Sequence, residues 1–288
     1  MKAAVAASSQ VISSAANPLL KEVRRAVRQG GLTGDGCLVA ESFHLLGEAL
    51  RSGRECAALL VSQRARDRAV EIAASAGRAI PVRVVADALF DKIAATETSQ
   101  GVIALVRPPS WTLADLFPAR PLVVVMDGLQ DPGNAGAIAR AAEAFGASGM
   151  IFVRETVSPF NPKTLRASAG SLFRLPYLWN VGRDVAREEF RKRKMQLVAA
   201  SSGQGDSPDR VDWTLPTALV IGSEAHGVSD ALRRDAQAVR IATQGVESLN
   251  ASIAAAVLLY EASRQRTSSS RQAGARHAAN EAAGKALA

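Results

Sequence analysis

Between residues 122 and 265, short apolar runs at 122–126, 149–153, 196–199, 218–221 and 239–241 alternate with stretches of helical periodicity near 135–145, 163–169, 183–194, 229–235 and 250–265. Runs that are short and apolar throughout are buried on both faces. Helical crossovers between them make a mainly parallel sheet with helices on both sides. That pattern excludes helical bundles and antiparallel barrels. In such sheets ligands gather beyond the carboxyl ends of the strands, so the loops that follow strands are where chemistry is expected.

A smaller α/β unit is expected over 10–107, where apolar runs at 38–40, 58–61, 82–85 and 102–106 alternate with helical segments. Asn17 and Pro18 form a helix start, after which Leu20, Val23 and Val27 share one side. Lys21, Arg24, Arg25 and Arg28 recur at helical spacing on the other side. Such a stripe suits a phosphate backbone and equally a plain solvated face. Pro108, Pro109, Pro118 and Pro121 make 108–121 read as a linker. The tail 267–288, rich in Ser, Ala and Gly, is expected to be a basic segment, disordered or loosely helical.

The formal charge of +8 is unevenly placed. Residues 1–107 hold 14 Lys/Arg against 10 Asp/Glu, 108–265 hold 17 against 16, and 266–288 hold 4 against 1. The excess lies on the flanks, as for a chain that meets a polyanion. Cys37 and Cys56 do not cluster with His44, His226 or His277, so neither a metal site nor a disulfide framework is expected. No run approaches the ~18 apolar residues of a membrane span. The apolar opening of residues 1–7 stops at Ser8, too soon for a leader, and a cytoplasmic protein is expected.

Three glycine-bearing segments carry the candidate chemistry. The first runs from Asp127 through Asp131-Pro132-Gly133-Asn134-Ala135-Gly136 to Arg140. Here Asn134 is placed to cap the next helix and Gly146 to end it. A buried stripe of Ile138, Ala141, Ala142 and Phe145 turns Arg140 outward, roughly 150° away. An isolated exposed Arg is usually only a surface residue. The second segment, Gly222-Ser223-Glu224-Ala225-His226-Gly227, follows a strand and lets backbone approach a flat ligand. Glu224 is placed to orient this loop or a substrate group, and His226 reads as an incidental loop residue. The third runs from Ile241-Ala242-Thr243 through Gly245 to Ser248-Leu249-Asn250, ahead of a helix apolar nearly all round. Ser248 and Asn250 fit plain N-caps or a site, and the helix needs burial or a subunit interface.

In this order and spacing the three segments resemble the motifs of the SpoU/TrmH family of RNA ribose 2′-O-methyltransferases. These are Asp-Pro-x-Asn-x-Gly with Arg six residues after the Asn, Gly-x-Glu-x-x-Gly after a strand, and Ser-Leu-Asn before the last helix. Lys163-Thr164-Leu165-Arg166-Ala167-Ser168-Ala169-Gly170 is similar to a further family segment, and the likeness covers most of 122–265. Residues 11–21, 38–42 and 48–50 resemble, less sharply, the family's RNA substrate-binding domain. The chain departs from the family where Ser42 stands for a frequent Gly, and where Ala242-Thr243 stand for Pro-Met.

The resemblance implies a SPOUT-type trefoil-knotted α/β domain over 122–266 that acts as a homodimer, without metal, on RNA, most often ribosomal. It implies S-adenosylmethionine held around Gly222, Ser223, Glu224, Gly227, Ile241, Gly245 and Leu249. Arg140 would stabilise the ribose alkoxide, with Asn134, Glu224, Ser248 and Asn250 positioning it, and the basic helix of 10–107 would meet RNA. Transfer RNA as substrate, or a non-catalytic RNA-binding protein of the same fold, are the alternatives. A nicotinamide dehydrogenase is disfavoured because no Gly-x-Gly-x-x-Gly follows a strand.

Overall fold

In the computed structural model residues 11–77 and 79–286 are described, with side chains to 269. The opening residues 1–10, read above for a leader, lie outside them. The chain forms two compact units.

The first unit comprises the described residues up to Trp111 together with Gln130–Arg140 and Val157–Leu175. Its helices and strands run α1 (Pro18–Gln29), β1 (Leu38–Glu41), α2 (Phe43–Arg51), β2 (Cys56–Ser62), α3 (Arg66–Ser75), β3 (Val82–Val85), α4 (Asp87–Phe90) and β4 (Val102–Val106). The sheet order is β1-β4-β2-β3, with β4 antiparallel to β1 and β2 and β3 parallel to β2. Asn17 caps α1 as expected, its Oδ1 accepting the Leu19 amide at 3.0 Å, and Gly30 ends the helix at φ 64°. Leu20, Val23, Val39, Leu60, Phe90 and Ile103 form its core, and Cys37 is buried among them. Ser42 caps α2 through its Oγ, yet sits at φ 129°, ψ 155°, a region in which glycine is at ease. At that backbone angle glycine would carry no strain, whereas Ser42 does.

The second unit comprises Thr112–Leu129, Ala141–Thr156 and Pro176 onward. Along the chain come α5 (Leu113–Leu116), β5 (Leu122–Asp127), α6 (Pro132–Ala144, which begins in the first unit), β6 (Gly149–Val153), α7 (Pro162–Ala167, of the first unit), β7 (Tyr177–Val181), α8 (Arg183–Lys192), β8 (Gln196–Ala200), β9 (Thr217–Gly222), α9 (Asp230–Arg233), β10 (Gln237–Val239) and α10 (Ala251–Ala286). Every neighbouring pair in the six-stranded sheet, ordered β10-β8-β9-β5-β6-β7, is parallel. One face packs Val123, Val125, Ile151, Val153, Leu197, Ala218 and Val220 against Ala186, Phe190 and Leu232 of α8 and α9. Residues of the other face, such as Val124, Met126, Leu219 and Ile221, are equally buried.

Four local expectations change. The proline-rich stretch holds one turn of helix, α5, closed by a capping box of Thr112 and Asp115. Strand β7 went unpredicted. The last strand ends at Val239 rather than 241, and Val239 forms an isolated parallel bridge with Asp206, whose amide donates to the Ala238 carbonyl at 2.9 Å and whose carbonyl accepts the Arg240 amide at 2.8 Å. The tail is helical to Ala286: it is rich in Ala and has no proline to stop a helix that is already nucleated. Arg266 secures α10. Its guanidinium donates to the carbonyls of Trp213 (2.7 Å), Arg120 (2.9 Å), Leu215 (2.8 Å) and Pro121 (3.1 Å). Among the described residues no helix is long and apolar enough to cross a membrane.

Candidate active site

The carboxyl ends of β8, β9 and β10 lie side by side, and the loops leaving them enclose a cavity of about 790 Å³ with the start of α10. A volume of this size suits a drug-sized or cofactor-sized ligand. Its lining comes from 199–204 at the end of β8 and beyond, 221–228 at the end of β9 and beyond, Arg233 of α9, Ala238, Val239, Ile241, Thr243 and 247–251, with Ala254 and Leu258 of α10 behind.

The loop after β9 is held tight by its own backbone. Ser223 and Gly227 exchange hydrogen bonds of 3.2 and 2.8 Å, and the His226 amide donates to Ser223 Oγ at 3.2 Å. Gly227 turns at φ 66°. A Cβ on Gly222 would fall inside contact distance of the Gly227 carbonyl and the Val228 nitrogen, so only glycine lets the loop fold back here. Glu224 and His226 are exposed at its tip and line the cavity.

In the third segment Ile241, Thr243, Glu247, Ser248, Leu249 and Asn250 line the cavity. Asn250 caps α10, its Oδ1 accepting the Ser252 amide at 2.9 Å and the Ile253 amide at 3.4 Å. Its side chain is thereby fixed at the rim. Ser248 does not open the helix. Gly245, at φ 74°, shapes the loop and is not among the lining residues.

Asn134 and Arg140 lie on α6 and are not among the cavity residues. The helix opens one turn earlier than expected. The Asp131 carboxylate accepts the Asn134 amide at 2.7 Å, so Asp131 does the capping expected of Asn134, which sits within the first turn. Gly146 ends the helix at φ 76° as expected. Gly136 is demanded by packing: a Cβ there would meet the Thr164 carbonyl, Ala167 and Ser168 of α7. Arg140 is exposed, and no carboxylate among the described residues pairs with it.

On α1, Lys21, Arg25 and Arg28 are exposed and Arg24 partly so. Arg25 is drawn into a 2.7 Å pair with Glu22, which leaves Lys21, Arg24 and Arg28 as the open cations of the stripe. Among the described residues no group of three or more His, Cys, Asp or Glu could hold a metal ion.

Three contributors were missed from sequence, the first being Arg233 of α9, which lines the cavity. Residues 201–204 wall the cavity, and their only signal was the small, glycine-rich run Ser201-Ser202-Gly203-Gln204-Gly205 after a strand. Asp127, which ends β5, is 2% exposed and holds Arg183 Nε at 2.7 Å through one oxygen and the Ser229 amide at 2.7 Å through the other.

The cavity fits S-adenosylmethionine on its own terms. Val239, Ile241, Leu249 and Leu258 give apolar walls for a flat base, Glu224 and Glu247 offer charge to a cation, and the Gly222 turn brings backbone to the ligand without a side chain between.

Residues 121–260 match the SpoU rRNA Methylase family, and residues 42–112 match the RNA 2′-O ribose methyltransferase substrate-binding family. An uncharacterized tRNA/rRNA methyltransferase of Synechocystis is 33% identical over 266 residues, 90% of this chain and 95% of the relative. The 23S rRNA (guanosine-2′-O-)-methyltransferase RlmB of Bordetella pertussis is 33% identical over 79% of this chain and 97% of its own length. Among solved structures, the SpoU methyltransferase AviRb from Streptomyces viridochromogenes, in complex with AdoMet, aligns with a TM-score of 0.75 and 28% identity. That alignment covers 88% of this chain and all of the other.

Proposed function

We propose that this chain, which belongs to the SpoU rRNA Methylase family, transfers a methyl group from S-adenosylmethionine to a ribose 2′-hydroxyl of ribosomal RNA. The observation that carries the reading is the cavity at three adjacent strand ends, walled by Gly222, Glu224, Ser248 and Asn250. The ribosomal substrate is supported by the Bordetella relative, and with it a cytoplasmic place of action.

When bound, S-adenosylmethionine supplies a sulfonium-activated methyl, leaving the protein to orient the acceptor and manage its proton. A guanidinium offers only donors, so Arg140 stabilises the developing alkoxide rather than acting as a base. Asn134 positions the ribose and phosphate beside it. Glu224, Ser248 and Asn250 order the donor side, with backbone at Gly222, Ser223, Gly227, Ile241 and Leu249 against the cofactor and Gly245 bending the loop. Lys21, Arg24 and Arg28 track RNA phosphates, and Arg25 contributes less because Glu22 already holds it.

In this reading the domain over 122–266 is closed by a trefoil knot, and two copies pair through α10. That pairing is supported by Ile253, Val257 and Tyr260, exposed at i, i+4 and i+7, with Val246 exposed nearby in sequence. Transfer of tritiated methyl to ribosomal RNA tests the activity. Arg140→Ala is expected to abolish it while calorimetric binding of S-adenosylmethionine survives. Near-normal turnover by that variant, or transfer to tRNA alone, would overturn the corresponding part.

A further inference from the structure

Strands β5 and β9 are the point where the order of the parallel sheet reverses direction, with β6 and β7 on one side and β8 and β10 on the other. Their last residues, Asp127 and Gly222, are register partners. Gly222 begins the loop after β9 and Ser229 closes it, one residue beyond the last lining residue of that loop. The ladder to β5 thus fixes where the loop starts. The Asp127 carboxylate, through Oδ2, fixes where it ends.

The carboxylate is oriented for this task. Arg183, at the start of α8, donates Nε to Oδ1 at 2.7 Å and Nη1 to Glu155 at 3.0 Å. With Oδ1 engaged, Oδ2 is left for the Ser229 amide. A hydrogen bond from a backbone N–H to an ionised, buried carboxylate is shorter and stronger than its neutral counterpart. A fold that needed only to fill this strand end could use an apolar residue, as the rest of β5 does with Leu122-Val123-Val124-Val125-Met126.

From this geometry we infer that Asp127, oriented by Arg183, is a positioning residue for donor binding: it spans the mouth of the 222–229 loop and sets its curvature before the ligand enters. Asp127 touches neither cavity nor substrate, and acts only through Ser229. The inference rests on the proposed methyl-donor site. Preorganised loops bind more tightly because the ordering cost has already been met.

The test uses the full chain, with donor affinity from calorimetry and steady-state kinetics on RNA. Asp127→Asn is expected to raise the Kd and KM for S-adenosylmethionine tenfold or more, with a far smaller fall in kcat at saturating donor and an unmoved KM for RNA. Asp127→Glu should recover part of the loss. Ser229→Pro is the independent variant, and the one that decides if Asp127→Asn does not fold. Ser229 lies at φ −60°, which a proline ring accepts, and the change removes the amide hydrogen that Asp127 accepts while leaving the Arg183 pair in place. A Kd for Ser229→Pro within twofold of the parent, or a loss in kcat alone, would overturn the inference. A parent chain that takes up no S-adenosylmethionine would instead overturn the methyl-donor reading on which it rests.

Discussion

Replacing Gly222 with alanine tests whether the loop after β9 is the wall of the donor site. The new methyl would sit about 1 Å inside the 3.4 Å at which ordinary contact begins, against three backbone atoms of Gly227 and Val228. Backbone cannot rotate away as a flexible side chain does, and Gly222 is held by its ladder to Asp127, so the exposed tip must move. Overpacking of this kind costs about 1–3 kcal/mol. The paired Ser223 and Gly227 hydrogen bonds, at about 1 kcal/mol each, are the first interactions available to yield. We therefore expect stability to fall by about 2 kcal/mol, a shift of roughly 4–8 °C for a unit of this size. Restoring the wall against about 2 kcal/mol of strain should weaken S-adenosylmethionine binding roughly thirtyfold. Calorimetry and a thermal melt read both quantities. Gly227→Ala is the control, since it adds a strained φ of 66° but meets no atom within 4 Å, and should lose far less affinity. If Gly222→Ala binds the donor within twofold of the parent, the loop is not the wall.

Three further outcomes are expected. Ser42→Gly gives up a cap bond worth a few tenths of a kcal/mol but relieves a backbone strain of about 1–3 kcal/mol, so denaturant unfolding should show a gain near 1 kcal/mol. A loss would show that the φ of 129° is not strained. Arg266→Met leaves four carbonyls without their shared donor and should lower stability by about 2–4 kcal/mol, seen as a reduced urea midpoint. Glu48 is held below its ordinary value of 4.5 by its hydrogen bond to Arg51, opposed by burial and aided by Arg174. A lowered folded pKa stabilises above 4.5 and loses that contribution as pH falls through the folded value. Glu48→Gln should therefore flatten the acid side of the stability profile below about pH 4.5 while leaving its shape unchanged near neutrality.

The legible parts were those where one local signal decides. Asn17-Pro18 started α1, uniformly apolar runs marked the strands at 102–106, 122–126 and 149–153, and glycine after β9 marked the turn. Strand β7 escaped because Tyr177-Leu178-Trp179-Asn180-Val181 lies at the sheet edge, neither alternates nor stays apolar, and carries Asn180 at φ 56°. Asp127 read as the first residue of a loop, since nothing in its neighbours announces partners 56 and 102 residues away. The same limit applies to Gln130–Arg140 and Val157–Leu175, which sequence order groups with 122–265 and which cluster with the first unit. The meeting of Gly136 with Thr164 and Ser168 that draws these two segments together is written nowhere along the chain.

The anchoring of α10 has a dynamic consequence. The Asn250 cap bonds only within the helix, whereas over four turns further on the Arg266 guanidinium donates to the Trp213 and Pro121 carbonyls, so sliding along the axis would break those bonds. With the helix held at its far end, an opening that admits or releases a ligand falls to the short strap from 241 to 249. The residence time of the ligand becomes a property of those nine residues, and amide exchange should quicken there while the helix stays protected.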